Sequence, residues 1–191
     1  MLVGLGMLWL PIVVSTVLVL VASNLIWMVL NFHKNDWVKL PDEEALAKAL
    51  NDQGAQPGEY SFPHACGAAD WKSDAWKEKF KRGPVGSLIL QPPGQMNMGK
   101  TMMCWIVYIV VIEVFVAYLA GTTLAAGTEY LKVFQVAGTA AILGFAGAVA
   151  PSSIWMGRRW GNSFRMMIDG IVYGLLSAGA FGWLWPAAAV S

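Results

Sequence analysis

Charge is scarce in this chain, and histidine and cysteine are scarcer. Only 13% of its 191 residues are charged, where a soluble domain carries roughly a quarter. Two histidines, His33 and His64, exclude a haem, pigment or zinc site built from several histidines. Two cysteines, Cys66 and Cys104, make no disulfide framework and read as free thiols in a reducing compartment. There is no Cys-x-x-Cys pair and no Ser-His-Asp or Cys-His-Asn arrangement. The "GKT" of Gly99 to Thr101 lacks the spaced upstream glycine of a phosphate loop. A net charge of +1 gives no bulk attraction for nucleic acid. No basic residue precedes the first apolar run, and that run outlasts a signal-peptide core, so a retained first span is expected.

Apolar residues are abundant, at 57% of the chain with a mean hydropathy of +0.53. A membrane-crossing helix needs roughly 20 of them in succession. Four stretches qualify: about 8 to 31, 101 to 121, 131 to 150 and 164 to 186. The expected fold is an all-α integral membrane protein. Residues 1–31 form the first transmembrane helix, 32–100 a small, mostly helical cytoplasmic segment, and 101–191 a three-helix membrane portion. The loops 32–100 and 151–163, with Arg165, hold 12 of the 13 basic residues. That asymmetry places the polar segment in the cytoplasm and both termini outside. Tryptophans at the span edges suit interfacial anchoring.

The spans carry packing signals. Gly170, Gly174, Ala178 and Gly182 recur at every fourth position of the fourth helix, and Ala140, Gly144 and Ala148 do so on the third. Small residues at this interval let backbones approach closely, so helices three and four should form a tight antiparallel pair. Pro151 and Pro186 read as stops.

Between the first two spans, "LPDEEALAKALNDQG" reads as a short helix, with Pro41 in its first turn and Gly54 at its end. "SDAWKEKFKRG" reads as a second, capped by Ser73, with Trp71, Trp76 and Phe80 as its apolar side. "VGSLIL" suits a strand. A segment this small can barely build its own core. Trp71, Trp76 and Phe80, amid four lysines, fit an interfacial helix or a small core facing the bundle.

Two carboxylates lie within the spans, where ionisable side chains are costly and often functional. Asp169, four residues after Arg165, is explained by a local ion pair on one helix face. Glu113 is deeper, at the depth of Thr139, Ser177 and Thr16. It reads either as a hydrogen-bonded structural clamp or as a proton or cation site. A third chemistry is soft-metal binding by His64, Cys66, Met96, Met98, Met102, Met103 and Cys104, although His-x-Cys falls short of a full ligand set, and methionines at a membrane edge usually fill packing gaps.

The run "GEYSFPHACGAADW…EKFKRGPVGSLILQPPGQMNMGK", leading into a Trp- and Gly-rich membrane half, resembles a family of small four-helix bacterial inner-membrane proteins. The resemblance implies that architecture and location and carries no activity, cofactor or site residue. The reading that follows is a non-catalytic accessory or scaffolding subunit of a larger membrane complex, of respiratory or photosynthetic type, without cofactor, whose partners are the lipid bilayer and other membrane subunits. A small transporter using Glu113 is the alternative and a metal-handling protein the third reading.

Overall fold

A computed structural model describes residues 2–188. Among these, four helical stretches are long and apolar enough to cross a membrane: Leu5–Val29, Met98–Thr123, Tyr130–Met156 and Trp160–Trp183. The shortest has 24 residues, about 36 Å at 1.5 Å per residue, against a hydrocarbon core of about 30 Å. The chain divides into two compact units. Among the described residues, the first joins 2–36, 97–154 and 158–188, and the second holds 37–96 with 155–157.

In the first unit, a 3-10 turn Leu5–Leu8 leads into α1 (Trp9–Asn24), which ends in a π-turn Leu25–Val29. Pro11 falls in the first α-turn, where its missing N–H costs little. α5 (Met98–Thr123), α6 (Tyr130–Ala146) and α8 (Trp160–Trp183) complete a bundle. α8 packs beside α6 and α1, and α5 beside the same two helices, so α5 and α8 face each other across the diagonal. Leu8, Val19, Ile109, Val116, Val133 and Phe181 fill its centre. One end is tied by Val3 N–H to Gly121 O and by Gly127 N–H to Pro186 O. Gly127 has φ +79°, and a Cβ there would meet Ala188, so this turn needs glycine.

α6 and α8 do pack backbone to backbone, but through partly different residues from those expected. A Cβ on Gly170 would fall 2.8 Å from Ala146 Cβ, and one on Gly182 would fall 2.7 Å from the Tyr130 ring. One on Gly174 would collide with Ile142, and Gly138 lies against Ala178. The α6 face is therefore Gly138, Ile142 and Ala146. Gly144 faces α5 instead, with Ile112 over it and its carbonyl accepting from Tyr108 Oη at 3.2 Å. Ala140 is half-buried and Ala148 is exposed. Small residues occupy two phases of α6, and spacing alone does not say which phase meets which neighbour. Pro151 also differs from expectation. It opens a short helix, α7 (Ala150–Met156), a position suited to a residue without an N–H.

In the second unit, α2 (Glu43–Asp52) is capped by Asp42, whose Oδ1 accepts from Ala45 N–H at 2.9 Å. Asp42 is thus the cap, and Pro41, expected in the first turn, precedes the helix. Gly54 adopts φ +65° just beyond its end. β1 (Gly58–Phe62), which the sequence reading missed, pairs antiparallel with β2 (Gly86–Leu90), Gly58 opposite Leu90. Between the strands lie α3 (Ala68–Lys72) and α4 (Asp74–Arg82). Ser73 caps α4 through Trp76 N–H. Trp71 lies on α3, apart from Trp76 and Phe80 on α4. Trp76 stacks on Phe80 at 4.9 Å and donates from Nε1 to Pro63 O. Trp71 is 61% exposed and Phe80 48%, and no residue from 37 to 96 is buried.

Candidate functional site

The bundle end opposite the Gly127 turn holds a buried polar network. Just past the first long apolar helix, a 3-10 turn at Asn31–His33 brings Asp36 back over His33, three residues earlier. α8 carries Asn162, Arg165 and Asp169 at i, i+3 and i+7, one helix face. The two segments meet. His33 Nδ1 lies 2.7 Å from Asp36 Oδ2, and Nε2 lies 2.9 Å from Asp169 Oδ2. Arg165 Nε donates to Asp36 Oδ1 at 2.6 Å, and its Nη2 to Asn162 Oδ1 at 2.9 Å. Asn162 Nδ2 donates to the Asp36 carbonyl at 2.8 Å. Trp27, in the π-turn, stacks on the imidazole at 4.0 Å and 3°.

This arrangement corrects the expected Arg165–Asp169 pair. The two share a helix face, but Arg165 bonds Asp36 and Asp169 bonds His33. A cation four residues ahead of an anion is the weaker helical order, and partners from the chain beyond α1 take both groups. Burial opposes ionisation of Asp36. Hydrogen bonds from His33 and Arg165, with the guanidinium charge, outweigh it and hold its carboxyl below the ordinary value of 3.8. Both imidazole nitrogens thus face a carboxylate oxygen, and Asp36 also faces the guanidinium.

Deeper in the bundle, Glu113 is fully buried near the middle of α5. Ser177 Oγ donates to its Oε1 at 2.5 Å across the bundle diagonal and lies 3.0 Å from the Tyr173 carbonyl. Ser15 of α1, also fully buried, faces the same carboxyl, although its hydroxyl donates to Ile12 O. Thr139 and Thr16 do not join Glu113. Their hydroxyls return to Gln135 O and Ile12 O on their own helices.

Asp169, Tyr173 and Ser177 form an i, i+4, i+8 row on α8, so the polar network and Glu113 flank one helical stripe. Three buried polar atoms along this stripe and at its end are unpartnered among the described residues: Asp169 Oδ1, Tyr173 Oη and Glu113 Oε2. A cavity of about 650 Å³ lies against Asp169 and Tyr173. Trp105 at its wall donates from Nε1 to Ser23 Oγ at 3.1 Å. Trp27 and Trp105 are thus structural parts of the bundle and not only edge anchors.

The soft-metal candidates divide between the units. His64 and Cys66 belong to residues 37–96, where His64 Nδ1 lies 3.2 Å from Ser61 Oγ and Nε2 lies 3.6 Å from Cys66 Sγ. Met98, Met102, Met103 and Cys104 belong to the bundle. Among the described residues no group of three His, Cys, Asp or Glu side chains is placed to hold a metal ion.

His33, Asp36, Asn162 and Ser15 were missed from sequence. The available signal was His33 and Asp36 at i, i+3 directly after a span, opposite a helix with polar residues at i, i+3 and i+7. Compared with protein-family models, curated proteins and solved structures, the chain matches none.

Proposed function

We propose that the chain is a multi-pass integral membrane protein of a bacterial inner membrane, both termini outside, and serves as a non-catalytic accessory or scaffolding subunit of a larger membrane complex. One observation carries this reading. The unit 37–96 buries no residue, yet presents Trp37, Trp71, Phe80 and Ile89 largely exposed. Sixty residues in this state gain little from their own packing, and large exposed apolar side chains mark contact surfaces. A respiratory or photosynthetic assembly would supply such a surface together with lipid. The test is purification from native membranes in mild detergent, with the masses and amounts of co-purifying chains measured. A fixed stoichiometric partner, lost in Trp71→Ala/Phe80→Ala while the bundle keeps its melting temperature, is expected. A lone monomer from native membranes would overturn the reading.

A second reading, a proton site at Glu113, is favoured by one feature. The single Ser177 proton cannot serve Glu113 and the Tyr173 carbonyl at once. A protonated Glu113 donating to Ser177 would satisfy both contacts. The clamp uses that proton statically, and a transporter would exchange it. Proton flux into liposomes that Glu113→Gln abolishes would select the transporter.

A further inference from the structure

The cavity beside α8 has the features of a ligand site that the subunit reading does not use. Its volume of about 650 Å³ is within the range of small-molecule sites, about 300 to 1,000 Å³. Half of its lining residues are aromatic or methionine, Trp27, Trp105, Tyr108, Phe145 and Met102 among them, and its charged lining residues are Asp169 and Arg158. Met28 and Met98, both exposed, line it as well, so it opens to the bundle surface. A groove of this kind in a membrane bundle takes an acyl chain by default. Two polar atoms set this one apart. Asp169 and Tyr173 are each 4% exposed, both line the cavity, and each has one unpartnered atom, Oδ1 and Oη.

A buried unsatisfied carboxylate oxygen or hydroxyl is costly, and an acyl chain relieves neither. The Trp27 indole N–H is near both groups without hydrogen-bond geometry to either, and one N–H can serve only one of them at a time. The missing partners define the complementary head. An ionised carboxylate only accepts, so the head must donate. A phenol both donates and accepts, so a hydroxyl meets Tyr173 in either sense. Asp169 disfavours a carboxylate head at this point. The flat aromatic wall suits a ring, because aromatic pairs stack offset or edge to face.

We propose that this cavity binds a membrane-soluble molecule with a hydroxyl-bearing ring as its head, the hydroxyl placed between Asp169 Oδ1 and Tyr173 Oη and the apolar tail leaving past Met28 and Met98. The site requires no partner chain, so its test is independent of whether the protein is an accessory subunit.

Two probes separate the head from the tail: 4-nonylphenol, and nonylbenzene, which has the same tail and ring without the hydroxyl. Binding to the detergent-solubilised full chain is read from tryptophan fluorescence and from the melting temperature, at equal probe-to-detergent ratios. The expected result is that 4-nonylphenol binds about five- to tenfold more tightly, the scale of one net hydrogen bond to a charged or polar group. Tyr173→Phe should shrink that preference about threefold or more. The same variant should melt no lower than the native protein without probe, because the hydroxyl it removes has no partner. Ala148→Trp, which fills the cavity, should weaken both probes. Equal binding of the two probes by the native protein would reduce the cavity to an acyl-chain groove and overturn the proposal. So would a preference that survives Tyr173→Phe, or failure of 4-nonylphenol to bind. If Ala148→Trp does not accumulate, the Tyr173→Phe comparison decides alone.

Discussion

His33 meets Asp36 through one ring nitrogen and Asp169 through the other, so one imidazole ties the chain beyond α1 to α8. Asp36 is its hub, held by His33, Arg165 and Asn162. Asp36→Asn should lower bundle stability by about 3 kcal/mol, the low end for removing one partner of a buried pair, because Arg165 is partly exposed. Urea or thermal unfolding in detergent would measure it, and an unchanged midpoint would deny the hub role. The pH dependence has a definite sign. The folded carboxyl titrates below its ordinary 3.8, so its contribution is present above that value and is lost as pH falls below it towards the folded value. Native stability should therefore drop on acidification below about pH 4, and Asp36→Asn should flatten that drop. Glu113 calls for a different pair of variants. Glu113→Gln keeps a donor and an acceptor for Ser177 and should melt within a degree or so of native. Glu113→Leu should cost about 1 kcal/mol, the scale of hydrogen bonds between membrane helices. At this scale the sequence showed that Glu113 and Asp169 were unusual and put Ser177 among the candidate partners of Glu113. It hid His33 and Asp36, because a polar residue just beyond a span looks the same whether it faces water or turns back under the bundle.

Among the elements, the α6–α8 contact depends on the absence of side chains. Gly174→Leu must push its branch into Ile142, whereas Val172→Leu changes a residue two positions earlier that is only half-buried and already carries a branched side chain. The first should lower the melting temperature clearly and the second hardly at all, and equal melting would remove the case for close backbone packing. Gly144→Leu should instead disturb α5, through Ile112. The existence of four long apolar helices was legible, because runs of this length have few other readings. The phase of the small-residue stripe on α6 was not, since Gly138 and Gly144 are equally visible in sequence and only the identity of the neighbouring helix assigns them. β1 was missed for a related reason. "GEYSF" is short and exposed, and its strand character comes from pairing with residues 24 or more positions away.

For the whole molecule, the claims concern the bilayer and what meets the unit 37–96. The Lys and Arg asymmetry predicts that Ser73→Cys labels only from the cytoplasmic side and Ser191→Cys only from outside. Met1 and Ser191 lie outside the described residues, so the labelling is the direct test of the termini. Reversed labelling would invert the topology. Composition indicated a membrane protein because 57% hydrophobic residues gathered in four runs leave little else to build. A partner leaves no such trace in one chain. It is inferred only from side chains that remain uncovered. The most direct measurement is photo-crosslinking in native membranes, with a photoreactive amino acid replacing Trp71 or Phe80. The subunit account predicts one discrete protein adduct of the same mass from both positions, absent when the probe replaces Ser73 in the same unit. Adducts to lipid alone at both positions would contradict it and leave Trp71 and Phe80 as a membrane-surface anchor.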